Sequence, residues 1–127
     1  MTYEEVQKFL GETSDGLPGD IFKSLNGGII LAPETKLHPQ SIGNDLVING
    51  EYHFEPYGLG RYIVLYYGSL IRSFGRMPME RQKLKIKEVL YHELTHHLEH
   101  MAGDKTLEKK DAADLNAYKQ KRTGRDE

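Results

Sequence analysis

The sequence predicts an α+β fold in which a small, mostly antiparallel twisted sheet packs against one long helix and a C-terminal helix. Three observations carry that expectation. Apolar residues alternate in short runs between residues 29 and 67, with Gly and Asn between the runs. From Met79 to about Met101 the period changes to 3.6. A length of 127 residues with 38% hydrophobic content suffices for one core, so the expected organisation is a single domain over residues 1–121, with 122–127 as a disordered tail.

The elements follow in order. Thr2 and Glu5 form a capping box, and Val6, Phe9 and Leu10 give an apolar stripe, so a first helix is expected to run to about Gly11. A second short helix is expected around Pro18, stopped by Asn26, Gly27 and Gly28. Ile29–Leu31 reads as a strand. Leu46–Ile48 and Glu51–Phe54 read as two more, with Asn49-Gly50 as the hairpin signal between them. After a Gly-rich turn at Tyr57–Gly60 comes RYIVLYY, with Ile63, Leu65 and Tyr67 on one face and Tyr62, Val64 and Tyr66 on the other. GSLIRSFGRMP is expected as a connector with one helical turn. The long helix then follows, ended by Gly103, and its core ridge is Ile86, Leu90, Leu94, Leu98 and Met101. A last helix from Thr106 to Lys121 would bury Leu107, Leu115 and Tyr118.

Composition excludes several classes of function. With no cysteine there is no disulfide framework and no thiolate metal site, so a metal must be held by histidine, carboxylate or water. No apolar run approaches the ~20 residues of a membrane span, and MTYEEVQKFL lacks the apolar stretch of a secretory signal, so a cytoplasmic protein without a membrane partner is expected. The formal charge of −2 hides a basic stretch, residues 61–87, in which seven lysines and arginines face Glu80 alone. A net acidic chain with pI near 6.3 does not predict a nucleic-acid partner.

The chemistry sits in the long helix. His92-Glu93-Leu94-Thr95-His96 is an HExxH pattern. Residues four apart differ by about 40° around a helix, so both imidazoles can reach one ion, and Glu93 stands where it can handle a water at an open coordination position. A catalytic zinc takes three protein ligands. Asp104 after Gly103 is the first candidate for the third, and Asp111 or Glu108, on a returning C-terminal helix, is the rival. His97 lies on the other flank, and His100 is too far along the axis.

HELTHHLEHMAGD, preceded by a short sheet and a basic amphipathic helix, resembles the small bacterial zincin-like metallopeptidases, which consist of a minimal catalytic domain. The resemblance spans residues 25–118. It implies one zinc held by His92, His96 and Asp104, with Glu93 as catalytic residue, and a peptide or protein substrate in a groove beside an edge strand. The sequence departs from the usual pattern at Glu99, where the nearer glycine falls, and Gly103 comes about one turn later.

The expected function is therefore zinc-dependent peptide-bond hydrolysis, with Glu93 as general base. An extended peptide would pair with the edge of RYIVLYY, and Tyr66, Tyr67, His100 and Arg72 are the candidate oxyanion donors. The alternative is a zinc-stabilised binding module without useful turnover, and a third reading is a metal-free interaction domain.

Overall fold

In the computed structural model the described residues are 1–103, so the expected C-terminal helix and tail, with Asp104, Glu108 and Asp111, lie outside them. Contacts group the chain into two compact units, Met1–Leu94 and Thr95–Glu127. The first unit begins with α1 (Tyr3–Asp15), α2 (Gly19–Ser24) and β1 (Gly28–Ala32). Then come β2 (Lys36–Leu37), β3 (Val47–Ile48), β4 (Gly50–Glu55), β5 (Gly60–Tyr66) and α3 (Tyr67–Phe74). The last described helix, α4 (Met79–Ala102), starts in the first unit and continues into the second.

The capping box at Thr2 forms in both directions: Glu5 N donates to Thr2 Oγ1 (3.1 Å) and Thr2 N to Glu5 Oε1 (2.8 Å). Hydrogen bonding to its carboxyl from the Thr2 backbone, and then from the Thr2 side chain, holds Glu5 below its ordinary range. The helix passes Gly11, where it was expected to stop, and ends at Gly16, because Gly11 faces open space and a single solvent-side glycine does not break a helix. α2 starts at Pro18, in the N-cap position, and ends before Asn26, as its flanking residues predict.

The sheets differ from the expectation. The main sheet is mixed, in the order β1-β5-β4, with β1 parallel and β4 antiparallel to β5. Asn49-Gly50 is not a hairpin turn, because β3 pairs with β2 in a separate two-stranded sheet rather than with β4. The hairpin instead joins β4 to β5 through residues 56–59, at the Gly-rich turn. RYIVLYY therefore supplies the central strand, with neighbours on both sides. Its alternation is real: Ile63 and Leu65 are fully buried, and Tyr62 and Tyr66 on the opposite face are nearly so. Tyr67 leaves the strand to begin α3, a two-turn helix where a single turn was expected.

The core consists of Val6, Leu10, Leu25, Ile63, Leu65, Leu70, Ile86, Leu90 and Leu94, so α1, β5, α3 and α4 close over one face of the sheet. Burying each such side chain contributes roughly 1.5–3 kcal/mol. α4 runs within one residue of its expected limits and ends at Gly103, whose φ of 76° is the left-handed value that terminates helices. Its predicted ridge holds only as far as Leu94. Leu98 and Met101 are about half exposed, and His97 is buried instead. Each step of four residues drifts about 40° around the axis, so after Ile86, Leu90 and Leu94 a step of three is needed to stay on the buried face.

Candidate metal centre

Of the six candidate metal ligands and general base read from the sequence, His92, Glu93 and His96 lie in the described residues, and α4 brings them together. His92 and His96 are one turn apart, about 6 Å along the axis, and Glu93 stands between them in sequence. The candidate ligand atoms of His92, Glu93 and His96 all lie within 4.8 Å of one another. Among the described residues this is the group of three histidines and carboxylates that such a spacing selects. The helix is continuous through all three, so the cluster comes from local geometry alone.

Their burial differs in a way that suits different roles. His92 is exposed, His96 half-buried and Glu93 buried at 8% exposure. Exposed imidazole can take up an ion from solvent, and the carboxylate is largely shielded from water. Two imidazoles and a carboxylate, with no thiolate, make a borderline nitrogen and oxygen donor set that fits zinc and related first-row ions. His97, on another flank of the same helix, is fully buried.

β4 begins against this helix. A β-carbon added at Gly50 would lie 3.0 Å from Val89 Cγ1 and 3.4 Å from Glu93 Cγ, so the strand's first residue lies beside the side chains of Val89 and Glu93. Since β5 is central, the peptide edge expected at RYIVLYY is not available there, and among the described residues the sheet's edges are β1 and β4. On β1 the Leu31 carbonyl already accepts from Tyr3 Oη (2.6 Å).

Three of the oxyanion donors considered in the sequence are engaged elsewhere. Tyr67 Oη donates to the Met1 carbonyl (2.6 Å), Tyr66 Oη to Glu51 Oε1, and Arg72 Nη2 to the Asn44 carbonyl (2.6 Å). Much of the basic stretch also has local partners. Lys83 and Lys85 pair with Glu80 and Glu88, and Arg61 and Lys87 stack over Phe54 and Tyr91.

Sequence reasoning missed a polar network on the opposite face of the sheet. Glu51 Oε1 accepts from Lys36 Nζ (2.7 Å) and from Tyr66 Oη, and lies 3.2 Å from His53 Nε2. The His53 ring stacks on Tyr62 at 5.1 Å, and Tyr62 Oη donates to Glu55. The signal was the period-two placement of Glu51, His53 and Glu55, but Lys36 comes from a strand too short to register as a pattern.

No sequence model of a protein family matches the chain, and no curated protein does. Among solved structures, it is similar to a conserved hypothetical protein from Thermus thermophilus, with 33% sequence identity and a TM-score of 0.66. The match covers 80% of this chain and 98% of that one. No described helix is long and apolar enough to cross a membrane.

Proposed function

This chain belongs to the family of the Thermus thermophilus protein, whose designation names no activity, and from its own residues we propose that it is a zinc-dependent metallopeptidase of zincin-like type. The observation that carries the reading is the convergence of His92, Glu93 and His96 on one helix, with the carboxylate buried and an imidazole exposed. Zinc held there would polarise a scissile carbonyl and lower the pKa of a water toward ~7.

The chain's own residues do the rest. His92 and His96 supply two ligands, and Asp104 is the proposed third, with Asp111 or Glu108 as its rivals. Glu93 accepts the proton of the attacking water on a carboxylate oxygen and delivers it to the leaving amine nitrogen. The substrate is an extended peptide laid along the outer edge of β4. That edge is preferred to β1 because β4 starts at the Glu93 side chain and because the Leu31 carbonyl of β1 is already occupied. The protein is proposed to act inside the cell without nucleic-acid or membrane partners.

The test is Glu93→Gln, assayed with a quenched-fluorescent peptide library on zinc-loaded protein. General-base chemistry contributes about 10²–10⁴-fold, so turnover is expected to fall by that factor while zinc stoichiometry and melting temperature stay unchanged. Equal inactivity of wild type and variant would favour the zinc-stabilised binding module instead, and equal activity would remove Glu93 as the general base.

A further inference from the structure

Gly50 occupies a strand position where glycine is costly. It lies in β4, pairs with Leu65 of β5, and does not have the positive φ that would demand glycine for conformation. A strand glycine is destabilising by about 0.5–1 kcal/mol relative to alanine, so its presence points to a close approach. That approach is to α4. The absent β-carbon would meet Val89 Cγ1 at 3.0 Å, and Glu93 Cγ and the Val64 carbonyl at 3.4 Å. Val89 and Glu93 are successive turns of one helix face, and the strand seats its bare backbone on both.

The strand cannot retreat from this contact. The Asn49 carbonyl accepts from Tyr66 N (3.0 Å), and Asn49 Oδ1 accepts from Ser73 Oγ (3.1 Å), so the residue before Gly50 is tied to both β5 and α3. Val89 is β-branched and stiff at χ1. A β-carbon at position 50 would press on Val89 and reach Glu93 Cγ at contact distance, so the γ-branches of a valine there would move the straight-chain methylenes of Glu93, which carry the carboxylate beside the two imidazoles.

We infer that Gly50 is a positioning residue: its missing side chain lets β4 close on the Glu93 stem and fix the direction of that carboxylate. The inference rests on the proposal that Glu93 is the general base of a metal site. It adds a residue from another element to a centre that the HExxH pattern places on the helix alone.

The test needs no substrate. Wild type, Gly50→Ala, Gly50→Val and Glu93→Gln are loaded with Co²⁺, and acetohydroxamic acid is titrated against the visible absorption of the bound ion. A hydroxamate offers a proton that a correctly aimed carboxylate accepts, so Glu93→Gln sets the scale for complete loss of that contact. Gly50→Val is expected to weaken acetohydroxamate by about tenfold and Gly50→Ala by a smaller factor, given that a misplacement of ~1 Å at such a site has effects of order 10²-fold. Co²⁺ affinity should stay within about twofold, because His92 and His96 are held by the helix.

Should Gly50→Val fail to fold, Gly50→Val combined with Val89→Ala removes the 3.0 Å contact and keeps the valine's γ-branches against Glu93. Stability should then recover while the hydroxamate affinity stays low. Wild-type hydroxamate affinity in the Gly50 variants, with or without a fall in melting temperature, would overturn the positioning role. A Glu93→Gln protein that binds hydroxamate as wild type does, or a wild type that takes up no Co²⁺, would overturn the reading of the site itself and Gly50's role with it.

Discussion

Glu51 Oε1 receives Lys36 Nζ, Tyr66 Oη and His53 Nε2 on a single oxygen. Burial pushes its carboxyl up, but these donors together outweigh burial and hold it below the ordinary range. The hydrogen bond from Lys36 to Glu51 raises the lysine in turn. A carboxylate lowered by folding contributes stability above its unfolded value of ~4.3, and loses it as pH falls through the folded value. A lysine raised by folding contributes below ~10.4, and loses that as pH rises through its folded value. Both contributions are therefore present at neutral pH. Glu51→Gln is expected to lower stability at pH 7 by about 1 kcal/mol or less, since solvent screens a pair with this exposure. The variant should lose less than wild type between pH 5 and pH 3. Thermal melts across that range check it, and parallel curves for the two proteins would remove Glu51 from the acid response. This network was not legible in the sequence because Lys36 and Glu51 lie 15 residues apart on strands that do not pair. His92, Glu93 and His96 were legible because one helix turn relates them, with no tertiary information needed.

Glycines show how differently one residue type behaves from element to element. Gly68 opens α3 under the β1–β2 connection, with its N donating to the Glu34 carbonyl (3.0 Å). A β-carbon there would fall 2.1 Å from Thr35 Oγ1 and 2.7 Å from Thr35 N. Gly68→Ala is expected to destabilise by about 1–3 kcal/mol through backbone displacement. Gly11, inside α1 with nothing within 4 Å, should respond in the opposite direction, with Gly11→Ala stabilising by about 0.5–1 kcal/mol. Urea midpoints at constant m-value decide both signs. The same contrast explains which elements the sequence disclosed. α4 was legible to within a residue because a long 3.6 period and a terminal glycine agree. α1 overran its expected end because Gly11 was read as a stop, and Asn49-Gly50 was read as a turn when Gly50 serves a close approach to α4. At Gly50 a contact from elsewhere in the chain assigned the residue's use, whereas at Gly11 no such contact exists and the helix simply runs on.

Across the molecule, the first unit buries its own core on one face of a mixed sheet, and α4 carries the candidate metal ligands within its length, from His92 to His96. Kinship with the Thermus thermophilus protein extends over 98% of that chain, so the shared fold includes nearly all of it. The sheet's strand order could not be read from the sequence, because a parallel pairing of β1 with β5 joins segments some thirty residues apart without a local signal. A third ligand for the proposed metal was equally hidden, since the candidates Asp104, Asp111 and Glu108 all follow in sequence the helix that carries His92 and His96. A metal that binds only the folded chain must stabilise it, by about 2.7 kcal/mol at a hundredfold excess over Kd.

Zinc titration of metal-free protein by calorimetry, on wild type, His96→Ala, Asp104→Ala and Asp111→Ala, addresses the site directly. The expected result is one zinc per wild-type chain, with binding lost in His96→Ala and in one of the two aspartate variants, and a melting temperature that rises with zinc only where binding survives. Absence of zinc binding by the wild type, or uptake that persists undiminished in His96→Ala, would contradict the assignment of His92, Glu93 and His96 as a metal centre.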